Sequence, residues 1–330
     1  MKVIIPLAGF GTRLRPHTFT KPKPLINVAG KPVLGHLLDK LATLDIEEYV
    51  FVVGYLGEQV EEYVKSEYKL NARFVEQNEL LGQAHAIWLA KDYLHEGPVF
   101  VLFVDTLFEA DLSQLSKDDC DATIFVKEVD DPRSFGVVTL NKENLISGFV
   151  EKPKTMDNRL AVVGLYYFKN AQALIAAIQE QMNRKTMTNN EYFLADAMNI
   201  MLERHAKFQT AQVSEWLDCG KPDTVLETNR YLLEHGRDNS VIFQDRRDVI
   251  IIAPVNIHPS ATISHSIIGP HVTIAANCTI TNSILRDTIV DTGATCKDTL
   301  IEHSLIGSNS KLEGHYRVVN VGDSSAVGYV

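Results

Sequence analysis

Five short segments near the C-terminus repeat one pattern, and that repeat narrows the possible folds more than anything else in the 330-residue chain. Ser266-Ile267-Ile268, Ser283-Ile284-Leu285, Thr288-Ile289-Val290, Thr299-Leu300-Ile301 and Ser304-Leu305-Ile306 each read small-polar, apolar, apolar. The first and second lie 17 positions apart, while the second and fourth, and the third and fifth, lie 16 apart. Ile257, Ile263, Val272 and Ile280 keep an approximate six-residue beat between them. One such piece cannot bury its own apolar side, but stacked turns of a three-sided coil bury one another. The pattern therefore predicts a parallel β-helix over residues 251–330. Cys278 and Cys296, 18 apart and so about one coil, are expected at stacked core positions without chemistry.

Upstream, to about residue 235, strand-like and helix-like runs alternate. Val3 to Leu7 is an apolar run of the kind buried on both faces of a sheet. Pro32 stands where a first helical turn accepts it, and Leu34, Leu37, Leu38, Leu41 and Leu44 then form one apolar stripe at helical spacing. The pattern continues as a strand near Tyr49 to Val53, a helix after Gly57, a strand at Phe74-Val75, a helix from about Ala84 and a strand from Val99 to Val104. Such alternation predicts parallel strands joined by crossover helices, with ligands bound beyond the carboxyl ends of the strands. Ala122 to Phe168 carries short strands in succession, expected as an antiparallel extension of that sheet. Two helices and a strand near Thr210 follow. The predicted fold is an α/β domain with a mixed, mostly parallel, Rossmann-like sheet over residues 1–235, a charged linker over 236–250, and the β-helix.

Composition excludes several classes. The apolar fraction of 45% and charged fraction of 22% are those of an ordinary globular protein. No apolar run approaches the ~20 residues of a membrane helix, and the opening Met1-Lys2-Val3-Ile4-Ile5-Pro6 is no secretory signal. A cytoplasmic location is expected. Cys120, Cys219, Cys278 and Cys296 show no C-x-x-C spacing, which disfavours a disulfide framework or zinc knuckle. A net charge of −10 argues against a nucleic-acid surface. It leaves room for a small polyanion where positive charge is gathered locally.

That gathering occurs in Gly9-Phe10-Gly11-Thr12-Arg13-Leu14-Arg15-Pro16, which continues to Lys21-Pro22-Lys23-Pro24. Glycines just after a strand, here following Leu7 and Ala8, let backbone N–H groups approach phosphate oxygens. Arg13 supplies a planar fork and Lys23 a mobile point charge. A Walker A loop is absent, and Leu14 replaces the third glycine of the dinucleotide fingerprint, so an NAD-dependent enzyme is disfavoured.

With these residues the chain resembles the sugar-phosphate nucleotidyltransferases: glucose-1-phosphate thymidylyl- and uridylyltransferases and mannose-1-phosphate guanylyltransferases. Their G-x-G-T-R-L-x-P and P-K-P signature is reproduced here, and the resemblance runs in pieces to about Leu233. Many relatives carry a left-handed β-helix beyond that point. The resemblance implies that Leu7, Ala8, Gly9, Gly11 and Thr12 cradle the nucleotide, and that Gln77 and Gly82 read the base. It also implies that Asp105 and the Asp218 of Trp216-Leu217-Asp218-Cys219-Gly220 hold Mg2+. Relatives have glycine where Val104 precedes the first aspartate, which puts the local backbone in question. Phe135-Gly136-Val137-Val138, Glu151-Lys152-Pro153 and Val163-Gly164-Leu165-Tyr166 match the sugar side: Gly136, Glu151, Lys152 and Gly164. Asn190 to Asp196 has counterparts that help to close the site. His85 reads as structural, and Asp118, Asp119, Asp121, Asp130 and Asp131 read as solvated loops.

The reaction implied is a single in-line displacement. A sugar 1-phosphate oxygen attacks the α-phosphorus of a nucleoside triphosphate, and pyrophosphate leaves. Arg13, Lys23 and Lys152 are the expected catalytic cations, with dTTP or UTP and glucose 1-phosphate the leading substrates and GTP with mannose 1-phosphate the alternative. A non-catalytic nucleotide-sugar-binding relative would be expected to have lost one of these groups. His258, His265, His271, His303 and His315 suggest an acyltransferase β-helix, but corner histidines are commonly just exposed. Packing of the β-helix against another copy of the chain is the more economical role.

Overall fold

The computed structural model describes residues 1–314, except 114, 116–119, 189 and 244–246, together with residue 324. Asp118, Asp119 and His315 therefore lie outside the described residues. The chain divides into two compact units, residues 1–27 with 31–228 and residues 28–30 with 229–330. No helix among the described residues is long and apolar enough to cross a membrane.

In the first unit, Lys2–Pro6 is the central strand, parallel to Glu48–Val53 on one side and to Val99–Leu102 on the other. Ala72–Glu76 extends the parallel part beyond Glu48–Val53. Val3, Ile4, Ile5, Val50, Phe51 and Val52 are fully buried, as strands covered on both faces require. Each such side chain contributes roughly 1.5–3 kcal/mol of burial free energy. The predicted leucine stripe is real: the helix Val33–Leu41 buries Leu34, Leu37, Leu38 and Leu41. Leu44 lies beyond its end.

The second half of the sheet is antiparallel, as the run of short strands suggested. Leu160–Phe168 pairs antiparallel with Val99–Leu102 and with Ala122–Glu128, and Gly136–Leu140 pairs with Ile146–Glu151. Phe208–Gln212 adds a parallel strand beside Ala122–Glu128. One detail differs from expectation. The strand after Val99 stops at Leu102, and a second strand, Thr106–Glu109, follows a turn containing Asp105. That second strand pairs antiparallel with Glu215–Asp218, a segment more than a hundred residues away in sequence.

The second unit is a parallel β-helix with three faces. One face stacks 249–251, 266–268, 284–286 and 300–302, and the next stacks 255–257, 272–274, 288–290 and 304–306. The third stacks 262–264, 279–281, 295–297 and 311–313. The change from 17 to 16 residues per coil has a local cause. Ile268 pairs with Leu285, 17 on, but Thr273 pairs with Ile289, 16 on, so one corner residue is dropped after Gly269-Pro270-His271. Ile263, Ile280 and Cys296 form one inward ladder, and Ile268, Leu285 and Ile301 another.

The corners explain His265, His271 and His303. His265, Asn282 and Asp298 share left-handed backbone, as do His271, Asp287 and His303, and Asn277, Gly293 and Asn309. Left-handed backbone favours glycine, asparagine, aspartate and histidine, which the repeat supplies. Two expectations are corrected. Cys278 and Cys296 are both buried but out of register, since Cys296 stacks on Ile280, because the coil is shorter than their spacing. Residues in 236–250 belong to the second unit rather than linking two domains. Asp238 accepts from Val255 N–H at 2.9 Å, Asn239 donates to Ile257 O at 2.9 Å, and Val249–Ile251 is already part of the first face.

Candidate active site

The glycine-rich segment is a fixed cradle. Three short 3-10 turns shape it, Thr12–Leu14, His17–Phe19 and Lys23–Leu25. Leu14 is fully buried beneath it, and the Thr18 hydroxyl donates to Gly11 O at 2.8 Å. Gly11 has φ +61, and a Cβ there would stand 3.0 Å from Lys23 Cβ, so glycine brings the lysine stem against the loop. Gly9 has open space above it, which leaves its backbone free for a ligand.

The two distant aspartates line the same cleft in this structure. Asp218 ends the strand paired with Thr106–Glu109, and Cys219 N–H donates to Asp105 O at 2.8 Å, which ties the two chain segments together beside the cradle. Lys23 Nζ lies 3.3 Å from Asp105 Oδ2. A Cβ on Gly220 would approach both Arg13 Nη2 and Asp218 Oδ1 to 2.8 Å, so glycine here leaves room for the guanidinium on one side and the carboxylate on the other. Gly9, Gly11, Thr12, Arg13, Lys23, Asp105, Asp218 and Gly220 all line one cleft of about 620 Å³. Val104, where relatives have glycine, is buried there without left-handed backbone, so its side chain is accommodated.

The cleft continues to the sugar side predicted from sequence. Gly136, Glu151 and Gly164 line it, with Phe135 packed on Trp216 at a ring separation of 4.8 Å. Gly136 leaves room for the Glu151 carboxylate, whose Oε2 would stand 2.9 Å from a Cβ there and would have to swing aside. Gly164 has φ +90 and sits where the register with Ala122–Glu128 shifts, a bulge that turns the strand toward the cleft. Asp131, expected as a solvated loop, is exposed but also lines the cleft, and its hydrogen bonds from Arg133 hold its carboxyl down at about 2. Asp121 is structural, accepting from Lys207 N–H at 2.8 Å.

Four expected site residues stand outside that lining. Leu7 lines the cleft, but Ala8 is buried against Gly54. Gln77 is buried, with its amide donating to Gly82 O at 3.3 Å and near His85 Nδ1 at 3.2 Å. Gly82 is needed because Tyr192 backbone atoms come within 2.7 Å of where its Cβ would be. Lys152 holds its ammonium over the Phe193 ring at 5.4 Å. His85 is outside the lining as well, and burial lowers its pKa. Sequence reading missed Gln83, Lys221 and the hydroxyl of Thr224 on Asp218, and it quoted Tyr166 within a sugar-side motif without giving it a role. Nothing in single-residue patterns marks the last of these, since Thr224 looks like an ordinary first-turn residue of the helix Pro222–Leu232.

Residues 2–235 match the family model described as nucleotidyl transferase. The chain belongs to that family. A bifunctional protein GlmU of Methanocaldococcus jannaschii is 35% identical over 234 residues, covering 71% of this chain and 55% of that protein. The nucleotidyl transferase described here thus spans about half the length of that GlmU relative. A glucose-1-phosphate thymidylyltransferase of Streptomyces antibioticus is 29% identical over 358 residues, covering 99% of each chain. The crystal structure of a UDP-glucose pyrophosphorylase complexed with UDP-glucose shares the fold, with a TM-score of 0.62 at 24% identity over 71% of this chain and 98% of that one.

In this nucleotidyl transferase Glu151 is the cleft carboxylate with an upward pKa shift. Burial is the main cause, with Asp196 and Glu191 adding to it and Lys152 opposing it. A carboxyl whose folded-state value is raised takes up protons more readily when folded, so its contribution to stability worsens as pH rises through that value. Glu151→Gln is therefore expected to melt higher than the parent at neutral pH, with the gap closing on acidification. Melts at several pH values check this, and a lower melting point at neutral pH would reverse the assignment.

Proposed function

We propose that the chain transfers a nucleotidyl group from a nucleoside triphosphate to a sugar 1-phosphate, releasing pyrophosphate. The observation that carries this is the convergence of Asp105 and Asp218 on the cleft that holds Arg13 and Lys23. A phosphate monoester is already largely ionised at neutral pH, with a second pKa of about 6, so the attacking oxygen needs no general base. Positioning and charge neutralisation then supply the catalysis. Arg13 would stabilise the leaving pyrophosphate and Lys23 the reacting phosphate. Glu151 would accept hydrogen bonds from sugar hydroxyls, and Lys152 would hold the sugar phosphate once its ammonium leaves Phe193.

The residues fit Mg2+. Asp105 and Asp218 offer oxygen ligands on an open cleft wall, and among the described residues no three His, Cys, Asp or Glu side chains gather into a cage. Mg2+ is commonly held by one or two carboxylates together with substrate phosphates and water. When bound, the ion would neutralise charge on the phosphate oxygens.

For substrates we propose dTTP or UTP with glucose 1-phosphate, on the strength of the full-length thymidylyltransferase likeness. The buried Gln77 gives that choice less support than its sequence context suggested. A pyrophosphate-release screen of all nucleoside triphosphates against a panel of sugar 1-phosphates tests both levels. Release with GTP and mannose 1-phosphate alone would replace the substrates, and nucleotide-sugar binding without release from any pair would replace catalysis.

We also propose that two copies associate through one face of the β-helix. Ile250, Ile267, Ile284 and Leu300 form a continuous outward row, with Ile250 58% and Leu300 83% exposed. Arg286 and Glu302 run beside it, 3.7 Å apart, a pairing of opposite charges that a two-fold axis would repeat between copies. Leu300→Glu should reduce the mass measured by light scattering to that of one chain. A parent protein that is already monomeric, or a variant of unchanged mass, would refute the interface.

A further inference from the structure

Asp218 is held by hydroxyls of the helix that follows it. Thr224 Oγ1 lies 2.9 Å from Asp218 Oδ2, and Thr228 Oγ1 donates to Asp218 O at 3.0 Å. The two threonines are four residues apart, so they face the same side of the helix Pro222–Leu232. The other carboxylate oxygen, Oδ1, accepts from Gly220 N–H at 3.0 Å. Thr224 Oγ1 also receives Lys221 N–H at 3.2 Å. A hydroxyl has one proton to give. With Lys221 N–H donating in, that proton is directed to the carboxylate, although Lys221 O at 3.1 Å competes for it.

We propose that Thr224 is a positioning residue that fixes the Asp218 carboxylate for a divalent ion. This rests on the reading of Asp218 as a metal ligand. The orientation of a ligating carboxylate is set by its outer hydrogen bonds, and losing one typically lowers metal affinity about 10–100-fold. The rival role is plain helix capping, because Thr224 sits in the first turn and bonds to Lys221. Capping predicts a stability loss and no effect on the ion. Positioning predicts the reverse order of effects. Thr224→Val keeps the shape and removes the hydroxyl, while Thr224→Ser keeps the hydroxyl.

Mn2+ titrated into the full chain and followed by electron paramagnetic resonance reads the affinity without turnover, and thermal melts run alongside. Thr224→Val is expected to weaken Mn2+ binding by about 10-fold or more, with Thr224→Ser close to the parent. Asp218→Asn should weaken binding at least as much as Thr224→Val. Parent-like Mn2+ affinity in Thr224→Val while Asp218→Asn binds weakly would overturn the positioning role alone. Parent-like affinity in Asp218→Asn would overturn the metal assignment itself, and the inference with it.

Discussion

Arg13→Ala is expected to lower kcat by about 10²–10³ while leaving the melting temperature nearly unchanged. Arg13 is exposed on the cradle, so truncating it removes little buried area. What it removes is a planar positive fork in a cleft whose other charged lining residues are Lys23, Lys221, Asp105, Asp131, Asp218 and Glu151. Charge on the leaving pyrophosphate grows as the bond to the α-phosphorus breaks, so a group placed there acts on the transition state more than on bound substrate. The loss should therefore fall on kcat, with KM for the triphosphate changing less. Arg13→Lys should restore only part of the rate, because a point charge cannot reproduce two parallel hydrogen bonds. Steady-state kinetics with both substrates varied, alongside a thermal melt, separate these effects. Wild-type turnover in Arg13→Ala would remove the arginine from the mechanism.

The parts of the site that the sequence made legible are those whose chemistry is local. A glycine pair after a buried strand and two cation types within one short loop already describe an anion cradle, and the structure adds the reason for its rigidity. Thr18 and Leu14 hold the loop from below. The pairing of Asp105 with Asp218 was available only through family resemblance. It depends on antiparallel pairing between segments far apart in the chain, and no periodicity encodes that. The residues expected to read the base, Gln77 and Gly82, have internal partners that their motif does not announce. Gln77 and Gly82 match their motif, yet Gln77 spends its amide on Gly82 and Gly82 makes room for Tyr192. A buried polar side chain must find a partner, and here the nearest partner is inside the protein.

The β-helix was legible because each coil repeats its own constraints. Inward positions must be small or aliphatic to stack, and corner positions must tolerate left-handed backbone. Both requirements leave a mark in sequence. The lengths of the corners do not, so the change from 17 to 16 residues was visible as a number without a cause. Stacked registers supply the cause: the three-residue corner Gly269-Pro270-His271 after Ile268 gives way to the two-residue corner Arg286-Asp287 after Leu285. The same uncertainty misplaced Cys278 relative to Cys296. An error of one or two residues in coil length is enough to move a side chain to another row.

The longer corner makes Gly269 the most sensitive backbone position in the second unit. Its φ is +109, a region that L side chains rarely adopt, and a Cβ would stand 1.8 Å from Ile252 O on the coil below and 2.9 Å from Val255 Cγ1. A backbone carbonyl in a stacked strand cannot swing aside as a lysine tip would. Gly269→Ala therefore combines conformational strain of ~1–3 kcal/mol with overpacking of ~1–3 kcal/mol, an expected loss of at least ~2 kcal/mol. Gly236→Ala provides the control, because Gly236 has φ +99 with nothing within 4 Å of its Cβ. That variant carries the strain without the clash and should lose less. Both tryptophans, Trp88 and Trp216, sit in the first unit, so their fluorescence follows that unit while far-UV circular dichroism follows both. For Gly269→Ala the dichroism midpoint should fall and the fluorescence midpoint should move less. Equal losses in the two glycine variants would mean that the coil below yields to the new methyl group, and that the corner is not the rigid stack described here.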